Sequence, residues 1–241
     1  MNPKKNESQH PDSGKQSDED AFRRLMKACM RAEGSPKNLA DIESILKEHP
    51  RTAFLRDRSG QTALIYCASL GHLAALKILI PHSNVMDAQQ SHETALMVAA
   101  ERGRVDCVLE LLDIGRPEHV SVLGHTALMA AAARGHAQCA RILLPRSDAL
   151  VKSQRQMNAL MLAVCSGSVE TVAVLLPASD LSENYDMKEV DPWGAPAGQE
   201  ALAIEALIAG ARLARHEKSV IESVVESSAP STAPANARRS L

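Results

Sequence analysis

Cysteine and histidine are the residue types of this chain best suited to chemistry, and the sequence contains five cysteines and nine histidines. A zinc site needs such ligands at short spacings, and a cysteine nucleophile needs a histidine as its base. The sequence has no Cys-x-x-Cys pair and no paired histidine spacing of that kind. The odd number of cysteines and their mostly apolar, helical contexts instead predict buried thiols in a reducing compartment. These thiols are Cys29, Cys67, Cys107, Cys139 and Cys165.

Other enzyme motifs are missing from the sequence as well. It contains no His-Glu-x-x-His, no Gly-x-Ser-x-Gly and no glycine loop of the phosphate-binding type. His72 and His136 each follow a glycine at the same position of a repeat, so we interpret them as structural residues. We therefore predict a protein that is not an enzyme, with no catalytic residue, no cofactor and no bound metal.

The composition excludes further classes of function. The chain is 45% hydrophobic and 23% charged, with a net charge of −2. This charge gives no general attraction to nucleic acid or to an anionic membrane, and 2% aromatic residues are too few for base stacking. Because no run of 18 apolar residues and no apolar N-terminal core occur, we expect no transmembrane segment and no secretory signal. A cytoplasmic protein is the prediction.

A sequence repeat of 32 residues indicates the structural elements on which any functional residue must lie. Thr62, Thr94, Thr126 and Asn158 stand 32 residues apart, and a glycine follows each of them after nine residues. A repeat of this length indicates a solenoid of stacked units. The four glycines are Gly71, Gly103, Gly135 and Gly167. Each repeat also has an aliphatic pair near its end, and these pairs are Leu79-Ile80, Leu111-Leu112, Leu143-Leu144 and Leu175-Leu176.

Each repeat is predicted to consist of a helix, a glycine turn, an antiparallel helix and a connection of about a dozen residues. The repeated Thr or Asn is an N-cap, whose side-chain oxygen accepts from a first-turn amide and contributes about 1 kcal/mol. The glycine ends the first helix in the left-handed conformation. Pro81, Pro145 and Pro177 mark the end of the second helix. Neither helix is long enough to be stable alone, so each repeat must bury its apolar face against the next.

The repeat resembles a known family. Asp57-x-x-Gly60-x-Thr62-Ala63-Leu64 resembles the ankyrin pattern D-x-x-G-x-T-P-L-H-x-A, as do Gly71-His72 and the aliphatic pairs. Alanine replaces the family proline in every copy, and Ile or Met replaces the family histidine. This Thr-Ala-Leu-Met variant most resembles divergent ankyrin arrays of some protists. The resemblance is strong over residues 57–177 and implies an all-α ankyrin repeat solenoid of stacked helix-turn-helix units with capping repeats at both ends.

The predicted domain organisation has three parts. Residues 1–18 and 227–241 are predicted to be disordered tails, and residues 19–226 form the ankyrin repeat domain. The predicted units of that domain are an N-terminal cap at 20–56 with a helix from about Ala21, repeats at 57–88, 89–120, 121–152 and 153–177, an insertion loop at 177–199, and a C-terminal degenerate repeat at 200–226.

The resemblance also implies which residues contact a partner. In ankyrin proteins these are the connection before each first helix, here called a finger, and the exposed face of the first helix on the concave side of the array. The residues at these positions differ from copy to copy, unlike the packing positions. Trp193 of the insertion loop is added as a candidate anchor, because Trp is favoured at binding hot spots. The predicted protein-binding residues are Arg58, Ser59, Gln61, Ser69, Leu70, Gln90, Ser91, Glu93, Glu101, Arg102, Val122, Leu123, His125, Ala133, Arg134, Gln154, Arg155, Met157, Cys165, Ser166 and Trp193.

A repeat without catalytic motifs favours a function in recognition. We predict a non-catalytic adaptor or scaffold that binds a protein partner through the concave face and the fingers. The alternative is a regulatory subunit or inhibitor that covers a specific enzyme with the help of the 177–199 loop. The expected partner is another protein, without nucleic acid, membrane or metal, and the chain is expected to be a monomer.

Overall fold

The computed structural model describes residues 12–33, 35–86, 92–181 and 199–228. In these ranges the chain forms eleven α-helices, which are α1 (Asp12–Met30), α2 (Pro36–Glu48), α3 (Ala63–Leu70), α4 (Leu73–Leu79), α5 (Ala95–Glu101), α6 (Val105–Leu112), α7 (Ala127–Ala133), α8 (Ala137–Leu143), α9 (Ala159–Ser166), α10 (Val169–Leu175) and α11 (Gln199–Ser228). None of the helices described is both long and apolar enough to cross a membrane.

The predicted N-caps are confirmed in all four repeats. Thr62 has extended backbone angles, and its hydroxyl oxygen accepts from the Ile65 amide at 3.4 Å. Asn158 does the same for Met161 with its amide oxygen, at 2.9 Å. The change from Thr to Asn therefore keeps the capping bond, as side chains with a short oxygen acceptor can. Thr94 and Thr126 cap α5 and α7 in the same way.

The helices stack in two layers. The first helices α1, α3, α5, α7 and α9 contact one another in series, and the second helices α2, α4, α6, α8 and α10 do the same. The leucine two residues after each N-cap lies in the core between repeats and is fully buried, at Leu64, Leu96, Leu128 and Leu160. The prediction of an all-α solenoid of helix-turn-helix units is confirmed.

A second row of contacts joins successive repeats at the glycine turns. The side chain of the residue after each turn glycine forms a hydrogen bond with a main-chain carbonyl oxygen of the preceding unit. Because a carbonyl oxygen can only accept, the side chain is the donor. His136, for example, donates from Nε2 to the Glu101 carbonyl at 3.0 Å. This confirms the structural interpretation of the two repeat histidines. The other bonds of the row are His72 to Cys29, Arg104 to Ser69, and Ser168 to Gly135.

The N-terminal cap begins earlier than predicted. The sequence analysis placed residues 1–18 in a disordered tail and the first helix at about Ala21, but α1 begins at Asp12, so the prediction is wrong for residues 12–18. Asp18 Oδ1 lies 3.0 Å from Nδ1 of His49, which directly follows α2, so a contact within the cap itself holds this earlier part of α1. The residues before Asp12 lie outside the described ranges.

The C-terminal unit is one helix and not a degenerate helix-turn-helix repeat, which corrects the prediction for residues 200–226. Gly210 stands nine residues after Ala201, at the spacing of the turn glycines, but it is helical and has no left-handed φ. No side chain of a following unit lies over it, since a Cβ at Gly210 would meet nothing within 4 Å. Without that contact the helix-forming residues around Gly210 continue the helix. Of the predicted loop and tail, residues 182–198 and 229–241 lie outside the described ranges.

Candidate functional site

The fingers are tight turns that side chains close from within. In the first finger, Asp57 Oδ1 accepts from the Ser59 amide at 2.9 Å, from the Ser59 hydroxyl at 2.7 Å and from the Gln61 amide at 2.9 Å. Serine takes the place of this aspartate in later copies, where its hydroxyl accepts from the amide four residues on. The four fingers are residues 57–62, 89–94, 121–126 and 153–158, of which residues 89–91 lie outside the described ranges.

The Asp57 carboxylate gives the first testable prediction. Burial alone would raise the pKa of Asp57, but the hydrogen bonds from Ser59, Gln61 and Gly60 outweigh it and hold the pKa below its ordinary value. A carboxyl group whose pKa is lower in the folded state stabilises the fold at pH values above its unfolded pKa. This stabilisation is lost as the pH falls through the folded-state pKa. We expect Asp57→Asn to lower the free energy of unfolding by at most about 1 kcal/mol at pH 7, because the carboxylate is partly exposed.

The measurement is urea unfolding of the wild type and Asp57→Asn between neutral pH and about pH 2. The difference between the two proteins should be present at neutral pH and shrink below about pH 4, where the wild-type carboxyl becomes protonated. A difference that stays constant over this range would show that the charge of Asp57 contributes nothing.

The third and fourth fingers are joined to each other. The Gln154 amide donates to the Leu123 carbonyl at 3.1 Å, and Gln154 Nε2 donates to the Val122 carbonyl. These bonds leave the side chains of Val122 and Leu123 exposed at the tip of the third finger. The two fingers therefore present one continuous edge with an apolar tip.

His125 links the fingers electrostatically to the end of a first helix. It is half-buried, and burial lowers the pKa of its imidazole. The Arg155 charge lowers this pKa further, whereas the Glu93 and Glu101 carboxylates oppose the shift. Glu93 and Glu101 belong to the second repeat and Arg155 to the fourth, so charges from both neighbouring repeats act on His125 of the third. The His125 imidazole thus lies within electrostatic range of charged residues on fingers and at a helix end.

Two of the predicted residues bind each other. Arg134, just after α7, donates from Nη2 and Nε to Glu101 Oε1, at 2.6 and 3.1 Å. An exposed ion pair of this kind contributes little stability, but it neutralises the two charges. Arg102, next to Glu101, is exposed and forms no ion pair with any residue in the described part of the chain. Arg102 is therefore the better candidate for a charged contact with a partner.

The predicted residues other than Trp193 are here called the candidate surface, and those that the structure describes lie on the fingers and at the ends of the first helices. Exposed are Arg58, Ser59, Arg102, Val122, Leu123, Arg134, Gln154, Arg155 and Ser166. Half-buried are Gln61, Ser69, Leu70, Glu93, Glu101, His125, Ala133, Met157 and Cys165. Gln90, Ser91 and Trp193 lie outside the described ranges.

Two exposed apolar residues in the connections between repeats were not predicted from the sequence as part of the binding surface. Val120 and Leu150 are both about half exposed and precede the third and fourth fingers. An apolar residue in an otherwise polar connection is the signal that could have identified them, because large apolar residues on a surface often mark contact sites. They extend the apolar part of the candidate surface away from the finger tip.

The structure gives the cysteines a packing role. All five are free thiols, and all except Cys165 are buried. A hydrogen bond with Cys29, together with burial, raises the pKa of the Cys67 thiol well above its usual value, and burial raises that of Cys107 and Cys139 to about 11. These three thiols are protonated at neutral pH, whereas nucleophiles and metal ligands are thiolates. Among the residues described, no group of three or more His, Cys, Asp or Glu side chains could hold a metal ion.

The repeats of the chain match a known protein family. A protein-family model described as ankyrin repeats (3 copies) matches residues 25–122 and 115–188. No curated protein matches the chain. The matched residues run from the last part of α1 to beyond α10, and so include all the fingers and the first helices α3, α5, α7 and α9.

Proposed function

The chain belongs to the ankyrin repeat family, whose repeats generally serve as protein–protein interaction modules, and from this premise we propose that it is a non-catalytic adaptor or scaffold. Its candidate surface, on the concave side and the fingers of the array, binds another protein. The free cysteines fit the reducing, cytoplasmic compartment that belongs to the same proposal.

One observation supports this proposal above the others, namely the division between constant buried positions and variable surface positions. The second residue after each N-cap is always leucine and always buried. The residue before each N-cap is half-buried and has a different chemical type in every repeat, being Gln61, Glu93, His125 and Met157. Packing between repeats requires leucine at the buried position, so this position is constant. The residue before the N-cap is not required for packing and can therefore determine what the array recognises.

Reversing the charge of Arg102 tests the proposal. Because Arg102 is exposed and forms no ion pair among the residues described, Arg102→Glu should leave the melting temperature unchanged. If Arg102 contacts the partner, we expect the dissociation constant to rise at least about tenfold. The partner is first captured by cross-linking mass spectrometry with the full chain in native lysate, and its affinity is then measured by calorimetry with purified proteins.

Arg141→Glu is the matched control. Arg141 is an exposed arginine on α8, a second helix, and does not belong to the candidate surface. It should change neither the affinity nor the melting temperature. Equal losses of affinity in the two variants, or a fall in the melting temperature of Arg102→Glu alone, would show that the candidate surface is assigned incorrectly.

A loop replacement separates the adaptor from the inhibitor alternative. Replacing residues 182–198 by a Gly/Ser linker of equal length keeps the described part of the array intact. Binding through the candidate surface should survive this change. Loss of binding with retained melting temperature would instead favour a partner held by the loop and Trp193.

A further inference from the structure

Helix α11 packs on the array through one face only. Ile204 and Ile208 are buried against the last repeat, and Arg215 Nη2 donates to the Leu176 carbonyl at 2.8 Å. The rest of the array contacts α11 mainly through α10 and the turn after it. Over residues 199–219, most of the surface of α11 is therefore not covered by the other residues that the structure describes.

The uncovered side of α11 carries a second apolar stripe. Leu202 is 67% exposed and Leu213 is 65% exposed, the highest values for large apolar side chains among the residues whose side chains the structure describes. Ala206 and Ala209 lie between them and are exposed as well. We call these four residues the outer face of α11.

The spacing of the outer face fits a helix pair. Its residues are separated by four, three and four positions, the spacing that places side chains on one side of a helix, where a second helix can pack. At 100° per residue, the outer face points directly away from the buried isoleucines. Ala203 and Gly210 lie along one edge of the stripe, so small residues allow a second helix to approach closely.

We propose that the outer face of α11 binds the outer face of a second copy of this chain, with the two helices antiparallel. The two-fold axis passes between Leu207 and Ile208. Leu202 then meets Leu213 of the second copy, and Ala206 meets Ala209, so that leucines close both ends of a contact with alanines at its centre. A two-fold contact of this type is self-complementary, because each pair occurs twice.

The charges at the other edge of the stripe favour the same arrangement. Glu205 and Arg212 are seven residues apart and both exposed. In the antiparallel pair with this axis, Glu205 of each copy lies about 3 Å along the helix axis from Arg212 of the other. In a parallel pair, each residue lies level with its own copy, so the two opposite charges would be separated by about 10 Å along the axis. Charge complementarity therefore selects the antiparallel orientation.

The contact is short, which sets its expected strength. The two helices overlap over residues 199–216, a length of about 27 Å, and the area is small compared with that of a permanent dimer. We expect reversible self-association that depends on concentration, in place of the monomer expected from the sequence. The contact lies on a different element from the candidate surface, so its failure would leave the proposed adaptor function untouched.

Sedimentation velocity of the full chain, over concentrations from about 1 to about 300 μM, tests the dimer. Leu213→Lys should raise the dimer dissociation constant about 100-fold, because the symmetric contact loses two leucines. Leu109→Lys is the control, since Leu109 is a 52% exposed leucine on α6 and should leave the dimer unchanged. Circular dichroism verifies that each variant remains helical. A wild type that stays monomeric at every concentration, or a dimer insensitive to Leu213→Lys, would overturn the proposal.

A charge exchange tests the orientation. Glu205→Arg should weaken the dimer, because it places two arginines opposite each other, and adding Arg212→Glu should restore the wild-type dissociation constant. The double variant is the decisive measurement, since Arg212 also has contacts within its own chain. A dimer that the double variant fails to restore would overturn the antiparallel pairing.

Discussion

Replacing Leu128 by alanine should lower the free energy of unfolding by about 2–5 kcal/mol, the range of buried leucine-to-alanine substitutions. Leu128 lies in α7, the first helix of the third repeat, and is completely buried. Helix α7 packs against α5 on one side and α9 on the other, so the cavity would lie between two repeat interfaces. Urea unfolding followed by circular dichroism measures the loss.

The shape of the unfolding transition carries further information. In a solenoid each repeat contacts only its neighbours, so a weakened central repeat reduces the coupling between the two halves. We expect Leu128→Ala to broaden the transition as well as shift it, because the halves then unfold less cooperatively.

Leu123→Ala is the matched control, with the same substitution only five positions away. Leu123 is 57% exposed at the tip of the third finger, and its loss should change stability by no more than about 0.5 kcal/mol. If both variants lost the same free energy, the core would not follow the row of repeat leucines.

The repeat architecture could be predicted because its signals are local. A capping residue such as Thr126 acts on an amide only three positions away, and the turn glycine is fixed by the backbone conformation at its own position. Four copies in one register then specify the stacking, since each copy must bury the same face. For this reason even the change to Asn158 was interpretable from the sequence.

The ends of the domain could not be predicted in the same way. Asp18 depends on a contact with His49, which no local pattern indicates. At the other end, Gly210 has the spacing of a turn glycine but no following unit whose side chain packs over it. Gly210 therefore shows that the glycine spacing alone does not end a helix.

The candidate surface was predictable in position but not in its internal pairing. Variation between copies identified the surface positions, which the structure places on fingers and helix ends. The ion pair between Glu101 and Arg134 depends on the side-chain conformations of two stacked repeats, so the sequence analysis treated both residues as available to a partner. Residues such as Arg102 gained importance only once that pair was known.

Gly103→Ala should be the second strongly destabilising change, with an expected loss of about 2–4 kcal/mol. Gly103 has a φ of +66°, a conformation that alanine adopts only at a cost of about 1–2 kcal/mol. A Cβ at this position would also lie 2.7 Å from the His136 ring, which packs over the turn from the next repeat. Because His136 donates to the Glu101 carbonyl, moving the ring breaks an inter-repeat hydrogen bond as well.

Gly210→Ala is the control for this substitution, and its expected effect has the opposite sign. Gly210 is helical in α11 with open space around it, so alanine should raise the free energy of unfolding by about 0.5–1 kcal/mol. Both variants are measured by urea unfolding at low protein concentration, where self-association does not contribute. Destabilisation by Gly210→Ala would show that a turn, and not a continuous helix, occupies this position.

A double-mutant cycle separates the two causes of the loss at Gly103. His136→Ala removes the ring that a new Cβ would strike but leaves the backbone conformation of residue 103 unchanged. If the ring contributes, the double variant should be more stable than the sum of the single losses implies, by about 1 kcal/mol or more. A cycle that closes with no coupling would assign the whole loss to the left-handed backbone. In that case the His136 ring would move away from the new Cβ without a cost in free energy. The turn would then be specified by backbone conformation within one repeat and not by packing between two.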